Sequence, residues 1–142
     1  MKHLVTTLLF VVAGLISVQA QDKNSKAPRF EFKEETHDFG TLPEGPKATH
    51  VFEFKNVGKE PLIIQNASAS CGCTTPNWPK EPILPGKTGS ITVEYNTQGR
   101  VSPFNKDIYI LSNAEVPDGK ERFELHIKGT VVHADEYEKT KK

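Results

Sequence analysis

The sequence predicts an all-β protein, an antiparallel sandwich of about seven strands. Apolar and polar residues alternate along most of the chain from Phe30 to Val131, the pattern of half-buried strands. Turn-forming residues separate the alternating stretches, and beyond the N-terminal segment no window of about 11 residues carries a helical stripe. Each sheet then has one apolar face, so two such sheets must cover each other.

The strands and turns follow in chain order. The apolar positions of the predicted strands are Phe30 and Phe32; Val51, Phe52 and Phe54; Leu62, Ile63 and Ile64; Ile91, Val93 and Tyr95; Phe104, Ile108 and Ile110; and Phe123, Leu125, Ile127 and Val131. The predicted turns are at Gly40 and at residues 43–46, 56–59, 85–86, 98–99 and 117–120, where glycine, proline and asparagine concentrate.

The first twenty residues are typical of a secretory signal peptide. Lys2 precedes an apolar run over residues 4–18, and a small-residue cleavage site ends at Ala20. The run is shorter than the ~20 residues that span a bilayer, and Gln21, not a lipid-accepting cysteine, follows the cut. We therefore expect a periplasmic or secreted protein that does not insert in the membrane once the signal is cleaved.

The rest of the chain divides into three parts. Residues 21–28 are a predicted flexible lead-in, residues 29–133 the folded domain, and residues 134–142 a charged tail, frayed or at most marginally helical. The chain has 18 basic and 18 acidic residues, so removal of Lys2 leaves a net charge of about −1. This balance gives no basic excess that would indicate a nucleic-acid partner.

Eight short motifs follow one another along the chain. They are His-Asp-Phe-Gly-Thr-Leu-Pro-Glu-Gly at 37–45, Phe-Glu-Phe-Lys-Asn-Val-Gly at 52–58, Pro-Leu-Ile-Ile at 61–64, Ser-Cys-Gly-Cys-Thr at 70–74, Pro-Ile-Leu-Pro-Gly at 82–86, Ile-Thr-Val-Glu-Tyr at 91–95, Phe-Asn-Lys at 104–106 and Leu-His-Ile-Lys-Gly at 125–129. The set resembles the bacterial family called domain of unknown function 1573, over about residues 29–132. That resemblance implies an immunoglobulin-like fold of the Hydin type and export in a Bacteroidetes-type bacterium. It implies no established activity, and fold alone supplies none.

The Cys71-Gly72-Cys73 motif is the most chemically distinctive feature of the chain. In a flat strand, residues two apart have α-carbons about 6.6 Å apart, at the edge of what a disulfide can bridge. Gly72, which lacks a Cβ, is expected to allow the conformation that brings the sulfurs together. A bridge would close a three-residue loop, for which chain entropy gives only about 1.6 kcal/mol. The pair is therefore a poor structural staple.

Three interpretations of this pair stay open. Cys71 and Cys73 form a local disulfide or part-buried thiols, or they are a redox-active dithiol whose thiolate is stabilised by a nearby cation. Lys80 and Lys87 are the close cations in sequence. The third interpretation is a soft-metal site for copper or zinc, with the two cysteines as weak candidate ligands and a histidine brought in by the fold. No cofactor and no other metal site are expected.

Trp78 and Lys80 are the candidate binding residues. Trp78 lies in a proline-rich loop beside the cysteines and either covers the core or, if exposed, anchors a partner. No nucleophile motif supports an enzyme. The sequence therefore predicts a non-catalytic binding module for an unknown protein or envelope component, contacted through a sheet edge or through residues 70–80. The alternative is a thiol-redox or soft-metal protein, and the oligomeric state is left open.

Overall fold

The computed structural model describes residues 26–141, so the predicted signal peptide and residues 21–25 of the predicted lead-in lie outside the described residues. The strands are β1 (Phe30–Phe32), β2 (Thr36–Pro43), β3 (Lys47–Asn56), β4 (Ile64–Ala69), β5 (Thr74–Asn77), β6 (Thr88–Asn96), β7 (Pro103–Ser112) and β8 (Phe123–Val132), and helix α1 (Ala134–Thr140) follows them. No helix in this part of the chain is long and apolar enough to cross a membrane.

Two four-stranded sheets pack face to face, which confirms the predicted sandwich. The first has the order β1-β3-β6-β5 and the second β2-β8-β7-β4. Neighbouring strands are antiparallel except β2, which runs parallel to β8. The first four connections, from β1 to β5, each cross from one sheet to the other, and the connection from β6 to β7 crosses once more.

The core consists of the inward-facing side chains of both sheets. Phe52 pairs with Ile91 in the first sheet and Ile108 with Leu125 in the second, and all four are fully buried. Burying each such side chain stabilises the fold by about 1.5–3 kcal/mol. The alternation that predicted the strands thus selects the residues that hold the sheets together.

Asn56 is a buried polar residue at the end of β3, where the sequence predicts a turn. Its Oδ1 accepts hydrogen bonds from the backbone N–H groups of Arg29 (3.3 Å) and Gly58 (3.0 Å). Its Nδ2 donates to the carbonyls of Glu60 (2.8 Å) and Ile83 (2.9 Å). One side chain therefore joins the turn to two other segments, which offsets the cost of burying an amide.

Gly40 lies within a strand, so the predicted turn at this residue is wrong. Gly40 has a φ of +64°, and the pairing of β2 with β8 shifts register between Asp38 and Thr41. This is a β-bulge, and a glycine adopts the left-handed conformation at little cost. The predicted strand at residues 62–64 also differs, because Leu62 forms only an isolated bridge with Ile83 and β4 begins at Ile64.

Both ends of the described segment are more ordered than the sequence suggests. Pro28, in the predicted lead-in, is buried, and its carbonyl accepts a hydrogen bond from the Glu115 N–H (2.9 Å). Ala134–Thr140 of the charged tail form α1, which has Asp135 in its first turn and Lys139 in its last. These charges suit the helix dipole.

Candidate functional site

Cys71 and Cys73 are joined by a disulfide at the end of the sandwich where β4 leads into β5. Their α-carbons are 5.2 Å apart, closer than in a flat strand, because the Thr74 N–H donates to the Cys71 carbonyl (3.3 Å) and closes a turn. Gly72 does not have a positive φ, and a Cβ there would meet no atom within 4 Å. The turn thus brings the cysteines together without requiring a glycine.

A cleft of about 340 Å³ lies against the disulfide. Cys73, Tyr95, Arg100 and Lys106 are among the residues that line it. Burial raises the pKa of Tyr95, and the Arg100 charge opposes this rise. The cations that share the cleft with Cys73 are Arg100, on the loop before β7, and Lys106, on β7 itself. The sequence indicates Lys80 and Lys87 instead, because these lysines follow the cysteines closely in the chain.

Lys80 contacts Trp78 instead of the disulfide. Its Nζ lies 3.0 Å from the centroid of the Trp78 ring, a cation–π contact. Trp78 is half-buried and packs against the core, and its buried Nε1 makes no hydrogen bond within the described residues. Trp78 therefore covers part of the core, the first of the two roles expected for it, and Lys80 lies over the face of its ring. Lys87 is not among the residues that line the cleft.

The loop and strand from 70 to 80 are fixed at several points. The disulfide closes the turn at one end, β5 pairs with β6 from Thr74 to Asn77, and Trp78 packs on the core at the other end. Thr75 and Asn77 nevertheless remain exposed. The segment is therefore a rigid surface that displays polar side chains.

A second cluster lies on the side of the sandwich where the chain crosses from β1 to β2. Glu34 is in the crossover, His37 on β2 and His50 on β3, and one ligand atom from each lies within 4.8 Å of the others. Glu34 Oε1 is 2.6 Å from His50 Nε2 and 3.6 Å from His37 Nδ1. Burial lowers the pKa of His50, and the neighbouring His37 lowers it further, whereas Glu34 acts in the opposite direction.

Sequence reasoning missed this cluster. Histidines were weighed only as partners of the cysteines, whereas His37 and His50 stack on each other. The sequence does contain one signal. Residues two apart in a strand point to the same face, so His50 lies on the face of β3 that carries the buried Ala48 and Phe52. A histidine on such an apolar face is either hydrogen-bonded by a neighbour or available as a ligand. Only the three-dimensional structure shows that β2, with His37, faces His50.

His126 makes a simpler contact on the second sheet. Its Nδ1 lies 2.8 Å from Asp107 Oδ1. Ser70 is close by, but its Oγ accepts the Asp107 N–H (3.1 Å), and no contact joins Ser70 to His126 among the described residues. This arrangement is not that of an activated serine, which needs a base within hydrogen-bonding reach of its hydroxyl.

Comparison with known proteins identifies a family and a fold. The family model described as "Protein of unknown function (DUF1573)" matches residues 30–131, in agreement with the resemblance seen in the motifs. None of the curated proteins matches the chain.

Solved structures with the same architecture are only distantly related in sequence. A protein of unknown function from Porphyromonas gingivalis W83 has a TM-score of 0.64 at 20% identity, covering 75% of this chain and 49% of that one. The ASH/PapD-like domain 7 of human CEP192 has a TM-score of 0.63 at 10% identity, covering 94% and 99%. The chain thus spans about half the length of the Porphyromonas protein. At these identities the likeness shows the fold alone, an immunoglobulin-like β-sandwich.

Proposed function

Because the chain belongs to the DUF1573 family of proteins of unknown function, which supplies a fold but no activity, we propose from its geometry that it is an exported, non-catalytic binding module of the bacterial envelope. Its binding surface is the segment 70–80 together with the adjoining cleft. The observation that carries this proposal is that the segment is fixed by the disulfide, by pairing with β6 and by Trp78, and still exposes Thr75 and Asn77.

Rigidity of this kind favours binding. A surface that is already ordered loses little conformational entropy when a partner docks. Lys80 lies over the half-buried Trp78 ring, which holds its ammonium group at the surface. Arg100 and Lys106 in the neighbouring cleft favour a protein or envelope component that presents an acidic group.

Export is supported by two features. The first twenty residues have the layout of a signal peptide, and disulfides persist in oxidising compartments such as the periplasm. The N-terminal sequence of the protein isolated from periplasm or medium tests this part. We expect it to begin at Gln21, and an intact Met1 in the cytoplasmic fraction would contradict export.

Site-specific photo-crosslinking in the native organism tests the binding surface. A photoreactive amino acid replaces Asn77 in one variant and, in a control variant, Glu121, an exposed residue in the turn before β8 of the other sheet. We expect a discrete adduct from position 77 and none from position 121. Adducts of equal yield from both positions, or from neither, would contradict the proposed surface.

One observation favours a second function, thiol–disulfide exchange. Arg100 and Lys106 share the cleft with Cys73. In exchange, an attacking thiolate bonds to one sulfur of the bridge and displaces the other as a thiolate, which nearby cations stabilise. A Cys71→Ser or Cys73→Ser variant then traps mixed disulfides that a reductant releases. An adduct that survives reduction, or no adduct at all, would remove this function.

A further inference from the structure

The cluster of Glu34, His37 and His50 brings donors from three chain segments to one point on the side of the sandwich. Side-chain exposure is 43% for Glu34, 27% for His37 and 18% for His50. The carboxylate therefore faces solvent, while the imidazoles fill the slot between the two sheets. An ion from solution can reach the cluster from the Glu34 side.

We propose that Glu34, His37 and His50 form a binding site for a divalent transition-metal ion, with Zn²⁺ as the ion that the donor set fits best. Two imidazoles and one carboxylate are a common zinc donor set, which leaves the fourth position for water or an external ligand. Calcium and magnesium prefer oxygen ligands alone. The site is separate from the disulfide and does not depend on the proposed binding surface.

The distances fit this proposal. Bonds of about 2.0–2.1 Å in a tetrahedral zinc site place two ligand atoms roughly 3.4 Å apart. Glu34 Oε1 and His37 Nδ1 are 3.6 Å apart, and Glu34 Oε1 and His50 Nε2 are 2.6 Å apart. The second distance must widen by less than about 1 Å, and the exposed Glu34 side chain is free to make that adjustment. The ligand atoms of all three residues lie within 4.8 Å of one another.

The surroundings of His50 Nε2 also favour a bound ion. This atom is buried, and Glu34 Oε1 lies 2.6 Å from it in a close polar contact. The carboxylate and the imidazole nitrogen therefore already face each other, and a metal ion between them would bond to both. Because a bound metal lies in the plane of each imidazole, at least one of the two stacked rings must turn when the ion binds.

Aromatic rings hold both imidazoles near the site. Phe39 packs edge-on to His37 and Phe52 packs edge-on to His50, each with ring centroids 4.7 Å apart. These contacts form an apolar wall on the core side of the cluster. Such a wall limits the approach of solvent from that side and strengthens the interaction of the ion with its ligands.

Titration of the full chain, expressed without a histidine tag, tests the site. Calorimetry with Zn²⁺ measures the affinity, and Co²⁺ as a spectroscopic substitute reports the ligands through its visible absorption bands. We expect one ion per chain. His37→Ala, His50→Ala and Glu34→Gln should each weaken Zn²⁺ binding by at least about tenfold, and the Co²⁺ bands should disappear in the histidine variants.

His126→Ala is the matched control, because this histidine also contacts a carboxylate, that of Asp107, but has no second imidazole beside it. We expect it to bind Zn²⁺ as the unaltered chain does. Far-ultraviolet circular dichroism checks that each variant is folded, and Glu34→Gln, which changes an exposed side chain, tests the site with the least risk to the fold. Equal affinity in the Glu34 and His126 variants, or no stoichiometric binding by the unaltered chain, would overturn the proposal.

Discussion

The imidazoles of His37 and His50 lie face to face, with ring centroids 3.5 Å apart and planes inclined by 7°, although the two residues belong to different sheets. Their stack closes the side of the sandwich where β1 ends and the chain crosses over. The disulfide lies at the end of the sandwich, beyond β4. The two candidate sites are therefore on different parts of the molecule and can be altered one at a time.

The disulfide contributes little to folding stability. Replacing both Cys71 and Cys73 by serine removes a bridge that closes only a three-residue loop, worth about 1.6 kcal/mol of chain entropy. We expect urea denaturation to show a loss in the free energy of unfolding of no more than about 2 kcal/mol. A variant that fails to fold would mean that the bridge is an essential staple.

Gly89 is required by packing. A Cβ added at Gly89 would lie 2.5 Å from Cζ of the buried Phe54 ring, so Gly89→Ala overpacks the core and should cost about 1–3 kcal/mol. Gly72→Ala is the control, because its Cβ meets nothing within 4 Å, and it should change stability by less than about 0.5 kcal/mol. Thermal unfolding followed by circular dichroism measures both. Equal midpoints in the two variants would refute the packing argument.

Asn56 should be among the polar residues most sensitive to substitution. Asn56→Ala leaves the Arg29 and Gly58 N–H groups without their side-chain acceptor and removes one of two donors to the Ile83 carbonyl, which keeps the Leu62 N–H. Each unsatisfied buried group costs about 1–3 kcal/mol. We expect a loss of at least about 2 kcal/mol in urea denaturation. The exposed Asn105→Ala provides the comparison, and a similar loss there would show that the Asn56 hydrogen bonds are unimportant.

Tyr95 should make the fold sensitive to alkali. Burial raises its pKa above the ordinary value, so the unfolded chain releases the phenolic proton at a lower pH than the folded chain. The stability due to this difference is present below about pH 10 and is lost as pH rises through the pKa of the folded state. Tyr95→Phe should flatten the decline in unfolding free energy above that pH, measured by urea denaturation over a pH series. A decline as steep as that of the unaltered chain would contradict the assignment.

The sequence predicts the core of the fold because apolar residues at every second position of a strand mark its buried face. Alternation at Phe52, Ile91 and Leu125 is visible without knowing which strands pair, and all three residues are buried. The bulge at Gly40 is not visible in this way. A glycine before a proline-rich stretch indicates a turn equally well, and only pairing with β8 makes it part of a strand.

The candidate sites depend on contacts between distant parts of the chain, which a local pattern does not contain. Cys71 and Cys73 are two residues apart, so their chemistry can be recognised in the sequence. Arg100 reaches the same cleft only because the loop after β6 lies at the same end of the sandwich as the disulfide. His37 and His50 likewise meet only because the chain changes sheets between β2 and β3, which places the two strands on facing sheets.

We propose that residues 70–80 bind a partner without thiol chemistry. Photo-crosslinking from position 77 distinguishes this binding from disulfide exchange when the unaltered chain is compared with the Cys71→Ser, Cys73→Ser double variant. We expect the same adduct in both, at a somewhat lower yield in the double variant because the loop is less rigid. Complete loss of the adduct in a double variant that still folds would contradict the claim and assign the function to the disulfide itself.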